Sequence, residues 1–273
     1  MTREYRTREY KNANGLLHRE DGLPAIEYTD GSKEWYVNGW RHREGGLPAI
    51  ECADGYKVWY VNGQHHREGG LPAVEYANGD MWWYKRGHLH RDGGLPAIVY
   101  AAGSKMWWVN GYHHREGGLP SIEYSNGDKI WYVKGDRHRE GGLPAVERED
   151  GTKEWHVIGR RHRDGGLPAI ERADGTKEWY ANGDRHRDGG LPAIERADGT
   201  KEWWLNGKQL SYEENVAYMK FCDHIQEKKR IRAQKKIYFW WIQICYDLDH
   251  PSGCGQRMAV KNLISFEEMM SPS

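Results

Sequence analysis

The residues of this sequence best suited to chemistry are the histidines of a recurring His-Arg-(Asp/Glu) tripeptide. Histidine exchanges protons near neutral pH and binds transition metals, and an adjacent carboxylate can orient its ring. The tripeptide histidines are His18, His42, His66, His90, His114, His138, His162 and His186. They recur at a fixed interval, so each belongs to a different copy of one unit.

Geometry argues against a shared metal ion or an active site in this column. Stacked hairpins place equivalent residues of neighbouring units about 10 Å apart, whereas a histidine ligand lies within about 2.1 Å of a zinc ion. Catalysis needs different groups that converge on one substrate, and eight copies of one tripeptide on an open sheet offer no pocket. We therefore predict no catalytic residue, no metal and no cofactor. We expect the arginine to pair with the adjacent acid, and the histidine to pack or to bond a loop carbonyl.

A second group of chemically capable residues lies near the C-terminus, where thiols and imidazoles could bind zinc. These residues are Cys222, His224, Cys245, His250 and Cys254. They include no Cys-x-x-Cys pair, so their spacing gives a zinc site little support. The cysteines, with Cys52, have no disulfide-framework spacing either, which favours a reducing, intracellular setting.

The bulk composition excludes several classes of protein. The 273 residues include 40 Lys+Arg and 40 Asp+Glu, and a zero net charge argues against a nucleic-acid partner. The charged residues 1–11 are unlike a secretory signal. No apolar run reaches the roughly 18 residues that a membrane span needs.

One unit of 24 residues recurs eight times. Leu-Pro begins at Leu23, Leu47, Leu71, Leu95, Leu119, Leu143, Leu167 and Leu191. A tryptophan follows each pair, at Trp35, Trp59, Trp83, Trp107, Trp131, Trp155, Trp179 and Trp203. Residues 161–179 and 185–203 are identical, which indicates a late duplication.

Each unit carries two strand-like runs and two turn signals, Asp-Gly or a variant of it between the runs and Asn-Gly or a variant after them. In the last unit, a two-residue loop would place Glu195 opposite Glu202. A three-residue loop with Gly199 in the left-handed region instead places Glu195 opposite Lys201, which is favourable. We therefore predict the bulged, three-residue loop.

These hairpins must stack, because a single hairpin is not stable in water. The predicted fold is mainly β, an elongated single antiparallel sheet of 24-residue hairpins, followed by a helical C-terminal segment. Two strands per unit give a rise of about 10 Å and a rod of about 75–80 Å. We divide the chain into a lead-in over residues 1–9, a repeat array over 10–209 and a helical cap or tail over 210–273.

The run from Asp30-Gly31 through Trp35 to Asn38-Gly39 and His42 resembles the MORN repeat. The resemblance covers residues 10–207 and implies β-hairpins in one long sheet, a scaffold role and, in some members, phospholipid binding. The chain departs from the common pattern where Arg-(Asp/Glu)-Gly-Gly-Leu-Pro replaces Gly-x-Gly. This variant and the tail, with its aromatic run 238–241, are most similar to repeat proteins of large DNA viruses of amoebae (Marseillevirus-like).

The tail begins with a helix signal. Ser211 and Glu214 form a capping box, which predicts a helix from about Tyr212 into the region 237–245. We expect a loop over residues 247–255 and a short helix over 260–269.

Three functional readings of this helix remain open. It could cap the edge of the last hairpin, because exposed sheet edges invite aggregation. Its basic residues beside the aromatic run 238–241 suit an interfacial membrane helix. Ile225-Gln226, Arg230 and Lys235 have the spacing of an IQ-type helix that binds calmodulin.

Successive side chains of a strand point to opposite faces of the sheet, and this alternation predicts where a partner binds. It places Arg196 and Glu202 on one face of the last hairpin as diagonal neighbours that can pair, and the same pair recurs at Arg172/Glu178 and Arg148/Glu154. In the four units from Cys52 to Ile130 this charged pair is replaced by largely apolar residues. We predict a partner-binding stripe that comprises Val58, Tyr76, Trp82, Tyr100, Met106, Tyr124 and Ile130. The alternative is that the tail helix folds back and covers this stripe.

The leading functional hypothesis is a non-catalytic scaffold that binds a protein partner, or a second copy of itself, through this stripe. It would act inside the cell, in the host cytoplasm or in a virion. The alternative is a peripheral adaptor that binds phospholipid membranes, and a third is calmodulin-like partner binding through the helix.

Overall fold

The structure is a computed structural model that describes residues 8–245, with side chains described through residue 240. Its repeating part consists of eight units of 24 residues, which we number 1 to 8 from His18 to Gln209. Each unit forms two hairpins rather than one. In unit 1 the strands Ile26–Glu27 and Lys33–Glu34 form a sheet hairpin. The strands Tyr36–Val37 and Trp40–Arg41 then form a separate ribbon hairpin.

The sheet hairpins join into one antiparallel sheet of 17 strands, which confirms the predicted fold class. The strand at the N-terminal edge of the sheet is Arg8–Glu9. The first strands of the sheet hairpins are Ile26–Glu27, Ile50–Glu51, Val74–Glu75, Ile98–Val99, Ile122–Glu123, Val146–Glu147, Ile170–Glu171 and Ile194–Glu195. The second strands are Lys33–Glu34, Lys57–Val58, Met81–Trp82, Lys105–Met106, Lys129–Ile130, Lys153–Glu154, Lys177–Glu178 and Lys201–Glu202. Every strand pairs with its neighbours in chain order, as Ile50 does with Glu34 and Val58.

The ribbon hairpins form eight separate two-stranded pieces. They are Tyr36–Val37 with Trp40–Arg41, Tyr60–Val61 with Gln64–His65, Tyr84–Lys85 with His88–Leu89, Trp108–Val109 with Tyr112–His113, Tyr132–Val133 with Asp136–Arg137, His156–Val157 with Arg160–Arg161, Tyr180–Ala181 with Asp184–Arg185, and Trp204–Leu205 with Lys208–Gln209. Their two-residue turns have both residues at positive φ, as at Asn38 (49°) and Gly39 (85°). This is the type I′ geometry that Asn-Gly favours.

The loop of each sheet hairpin has the predicted register. Glu195 pairs with Lys201, the Arg196 N–H donates to the Thr200 carbonyl at 2.9 Å, and Gly199 has φ +86°. The three-residue, bulged loop is therefore confirmed. The glutamates of this register also form ion pairs with arginines, as Glu195 does with Arg187 at 2.8 Å.

Alternation along the strands gives the sheet two faces, which we name the Trp face and the Ile face. The Trp face of unit 1 carries Ala25 and Trp35, 0% and 5% exposed. The Trp35 indole N–H donates to the Gly22 carbonyl at 2.9 Å, and equivalent bonds recur in units 2 to 7. The Ile face carries a column of buried Ile and Val residues that begins at Ile26. The array is thus held by one tryptophan, one alanine and one branched residue in nearly every unit.

The chain divides into two compact units, Met1–Arg187 with Pro192–Gln209, and Asp188–Leu191 with Leu210–Ser273. The second contains α1, Tyr212–Cys245, and Gly190, whose added Cβ would lie 3.0 Å from Met219 Cγ. The predicted capping box is confirmed, since the Ser211 N–H donates to Glu214 Oε2 at 2.8 Å and the Glu214 N–H donates to Ser211 Oγ at 3.2 Å. The predicted loop over 247–255 and helix over 260–269 lie outside the described residues. So do two of the candidate zinc ligands, His250 and Cys254.

Candidate partner-binding surface

The tripeptide histidines form hydrogen bonds within the scaffold. His18 Nδ1 accepts a hydrogen bond from the Asn38 N–H at 3.2 Å, and its Nε2 donates to Glu20 at 2.8 Å. The backbone contact recurs at His42, His90, His162 and His186. The expectation of a carbonyl partner is therefore wrong for these five, because the ring accepts the N–H of a ribbon turn. His138 does approach a carbonyl, that of His156, at 3.2 Å.

The tripeptide arginines do not pair with the adjacent acid, so that prediction is also wrong. Arg43 stacks on Trp35, 3.7 Å from the ring centroid. Its Nη1 donates to the Pro48 carbonyl at 3.1 Å and to Glu51 Oε1 at 2.8 Å. The stack on the tryptophan directs the guanidinium toward this later glutamate. In most units the acid of the tripeptide instead forms a hydrogen bond with the histidine of the same tripeptide. Among the described residues, no group of three or more His, Cys, Asp or Glu side chains could hold a metal ion.

The Ile face differs between the outer and the middle units. In unit 7, Glu178 accepts hydrogen bonds from Arg172 at 2.5 Å, from Tyr180 Oη at 2.9 Å and from Arg185 at 3.4 Å. Glutamates at the same position in units 1, 6 and 8 are also shared by three side chains, at Glu34, Glu154 and Glu202. We call each such arrangement a Glu node. The predicted diagonal Arg–Glu pairs are thus present in units 6 to 8.

The Glu nodes shift the pKa values of their members. Hydrogen bonds from His156 and Arg148 hold the pKa of Glu154 well below its usual range, although burial opposes this shift. In unit 1, burial and the hydrogen bond to Glu34 raise the pKa of Tyr28 to about 12. The pKa of Tyr36 also rises to about 12 for the same two reasons. Each node is therefore a charged carboxylate among neutral and cationic donors.

In the middle units the node is replaced by aromatic and aliphatic side chains. The Tyr76 and Trp82 rings lie 5.3 Å apart, and the Tyr56 and Tyr76 rings lie 5.0 Å apart. Tyr124 is 39% exposed. The other predicted residues of units 3 to 5 are half-buried, namely Tyr76, Trp82, Tyr100, Met106 and Ile130.

Val58 is an exception that corrects the predicted stripe. Its side chain is 0% exposed, so it contributes to the core and cannot contact a partner. Tyr56, which was not among the predicted residues, is half-buried and packs against Tyr76. The signal for Tyr56 was present, since the other units carry Ser, Thr or Asp at its position. We call the corrected surface the central patch, which comprises Tyr56, Tyr76, Trp82, Tyr100, Met106, Tyr124 and Ile130.

Two shallow depressions lie in the central patch. One, of about 490 Å³, brings together Tyr100, Met106 and Tyr124, with Asn78 and Asp80 also lining it. The second, of about 360 Å³, is lined by Asp54, Tyr56, Tyr76, Ala77 and Asn78. Trp82 and Ile130 line neither. The depressions are therefore apolar in their walls and acidic at Asp54 and Asp80.

Ring stacks on the ribbons continue this surface, and the sequence did not predict them. His65 lies 4.4 Å from the Tyr60 ring and 4.7 Å from the Tyr84 ring. His113 lies 3.6 Å from the Trp108 ring and 5.0 Å from the Tyr132 ring. Burial lowers the pKa of His113 to about 4, so this ring is neutral at physiological pH.

The middle units also leave buried donors without acceptors. Trp204 Nε1 donates to Glu202 at 3.0 Å in unit 8. Trp108 Nε1, at the same position in unit 4, has no acceptor among the described residues. The reason is that Met106 occupies the position of the node glutamate.

No family model and no curated protein matches this chain in comparisons of sequence. The fold itself, a long antiparallel sheet of many short stacked hairpins, is consistent with a MORN-like repeat. No helix among the described residues has the length and apolar character to cross a membrane.

Proposed function

We propose that this chain is a non-catalytic repeat scaffold that binds a partner protein through the central patch. The observation that carries the proposal is the loss of the Glu node in units 2 to 5 on a backbone that keeps the same strand pairing. Ile98 pairs with Met106 in unit 4 as Ile170 pairs with Glu178 in unit 7. The fold therefore does not require the apolar residues, and their contiguity supports a binding role.

The chemistry of the central patch indicates the kind of partner. Tyrosine, tryptophan and methionine are enriched in the centres of protein interfaces, and the two depressions have room for side chains. Asp54 and Asp80 line these depressions. We therefore propose a partner segment that presents apolar side chains flanked by Lys or Arg.

A pair of matched double variants tests this proposal. Tyr100→Arg with Met106→Glu gives unit 4 the residues of unit 7, and Arg172→Tyr with Glu178→Met makes the opposite exchange. Each should fold, because each copies a unit that already exists in the chain. Capture from cells followed by calorimetry with the identified partner should show binding lost, by at least about 100-fold, in the first variant only. Equal binding by the wild type and the first variant would overturn the proposal.

Two other occupants of the central patch are outcomes of the same test. A second copy would appear as a concentration-dependent dimer in sedimentation velocity, lost in the Tyr100→Arg, Met106→Glu variant. The chain's own tail would appear as partner binding that increases when residues 210–273 are removed. Either result replaces the partner protein as the occupant.

A membrane surface is the second candidate function, and α1 carries the observation that favours it. Ile237, Phe239 and Trp240 are between 63% and 65% exposed. Exposed basic residues precede them at Lys228, Lys229, Arg230, Arg232, Lys235 and Lys236. Such a segment suits an anionic lipid surface. Failure to sediment with anionic liposomes at low salt would remove this candidate.

Calmodulin binding is a third candidate, because the IQ-like residues from Ile225 to Lys235 lie on α1. A titration of the full chain with calmodulin, with and without calcium, tests it. The resemblance to viral repeat proteins supports a further proposal, that the scaffold serves virus assembly in the host cytoplasm or in the virion. Mass spectrometry of purified particles would detect it there.

A further inference from the structure

On the Trp face, one unit lacks the arginine–glutamate ion pair that the other units have. In seven units the tripeptide arginine pairs with the glutamate eight residues later, with Nη1–Oε1 distances of 2.6–2.8 Å. In unit 4 that glutamate is replaced by Val99. Arg91 keeps its stack on Trp83, 3.8 Å from the ring centroid, and its Nη1 lies 3.4 Å from the Pro96 carbonyl. Among the described residues, no carboxylate pairs with Arg91.

The residues next to this position change at the same place. Val99 pairs with Met81 on one side and with Lys105 on the other, and Met81 replaces the lysine that the other units carry. Met81 is 38% exposed and Val99 is half-buried. In the seven regular units, the glutamate at the position of Val99 has a side chain that is 30–39% exposed. The position beside Arg91 is therefore reachable from solvent, and it is bordered by the apolar Met81 on one side and by Lys105 on the other.

We propose that Arg91, Met81 and Val99 form a binding site for a carboxylate that carries an apolar chain. The carboxylate would take the place of the missing glutamate and accept a charge-assisted hydrogen bond from the guanidinium. The apolar chain would lie on Met81 and Val99 and leave water there. Burial of an unpaired guanidinium lowers the pKa of Arg91, as expected where no carboxylate compensates the charge.

The site stands apart from the proposed function, because it lies on the opposite face of the sheet from the central patch. Two sources present the required chemistry. One is a free acid with an aliphatic tail, and the other is an Asp or Glu side chain next to an apolar residue of a bound protein.

Nuclear magnetic resonance of the arginine Nε–Hε groups in the full chain tests this site. Sodium acetate, sodium hexanoate and the blocked dipeptide N-acetyl-Leu-Glu-amide are titrated against sodium chloride of equal ionic strength. The signal that Arg91→Lys removes should shift saturably with each acid, and hexanoate should bind at least about five-fold tighter than acetate. Tighter binding of hexanoate than of the dipeptide identifies a free acid as the source, and the reverse identifies a protein side chain.

Two variants provide matched controls. Val99→Glu restores the residue of the other seven units and should abolish the shift of Arg91. Glu123→Val in unit 5 should make Arg115 respond to acetate without a preference for hexanoate, because Lys105 and Lys129 flank that position. The proposal is wrong if the Arg91 signal does not saturate, if Val99→Glu retains the response, or if acetate and hexanoate bind equally.

Discussion

Units 4 and 7 share a backbone and differ in what they place on the Ile face. In unit 7 the buried carboxylate of Glu178 is held by Arg172, Tyr180 and Arg185. In unit 4 the equivalent position is Met106, beside Tyr100. Strand pairing is nevertheless the same in the two units. The Trp face and the backbone ladder therefore specify the hairpin, and the Ile face is free to change from a closed ion network to an apolar surface.

The largest effect should come from the Trp face and should be equal in the two kinds of unit. Trp107→Ala in unit 4 and Trp179→Ala in unit 7 each remove a side chain that is 5% exposed and donates to a glycine carbonyl at 2.9 Å. Each should lower the free energy of unfolding by about 3–5 kcal/mol. Urea denaturation measures this loss. A difference above about 1 kcal/mol between the two variants would show that the Trp face is not equivalent along the array.

A second comparison should separate the units on the Ile face. Glu178→Gln removes the charge that three donors share, and we expect a loss of about 2 kcal/mol in the free energy of unfolding. Met106→Gln should be nearly neutral, because its amide oxygen gives Trp108 Nε1 the acceptor that it lacks. Thermal denaturation of both variants tests the difference. Equal losses would contradict the idea that unit 7, unlike unit 4, depends on a buried carboxylate.

Acid should act on the two kinds of unit in different pH windows. The pKa of His113 falls from 6.5 to about 4 on folding. The unfolded chain therefore binds this proton first as the pH falls from 6.5 to 4, and stability decreases through that window. His113→Leu, which copies Leu89 of unit 3, should reduce this pH dependence while His65 retains its own.

Glu154→Gln is the matched change for an outer unit. The pKa of Glu154 is lowered from 4.5 on folding. Its contribution to the free energy of unfolding is therefore complete above pH 4.5 and is lost as the pH falls below that value. This variant should flatten the stability curve only below that value. A flattening between pH 4.5 and 6.5 would contradict the assignment.

The smallest expected effect concerns the tail. Removal of residues 210–273 keeps the ribbon strand Lys208–Gln209. It exposes the last hairpin edge if α1 caps it, and solubility should then fall. Light scattering at increasing protein concentration measures this change. Unchanged solubility and melting temperature would count against a capping role for α1.

The register and the hairpin loops were predictable because local charge chose between two discrete alternatives. Only the three-residue loop relieves Glu195 of an opposing glutamate, and the structure has this loop. The helix start at Tyr212 was predictable for a similar reason, since Ser211 and Glu214 satisfy each other's backbone N–H groups. Both are short-range effects that the residues alone specify.

The ribbon hairpins and the arginine partners were not predictable in the same way. The run from Lys33 to Val37 contains no Gly, Pro or Asn, so no turn residue in it marks where the sheet ends and the ribbon begins. The Arg43–Glu51 pair depends on the stack of Arg43 on Trp35, a contact between successive units. The burial of Val58 likewise depends on packing that a single-unit pattern does not contain.

The pairing of every sheet strand with its neighbours in the chain has a mechanical consequence. Tension applied along the array acts parallel to the hydrogen bonds between strands, so the bonds open one pair at a time rather than together. Each unit then releases 24 residues, which extend to about 80 Å of contour. The repeat array should therefore unfold at low force, one unit at a time in steps of equal length, and should lengthen many-fold.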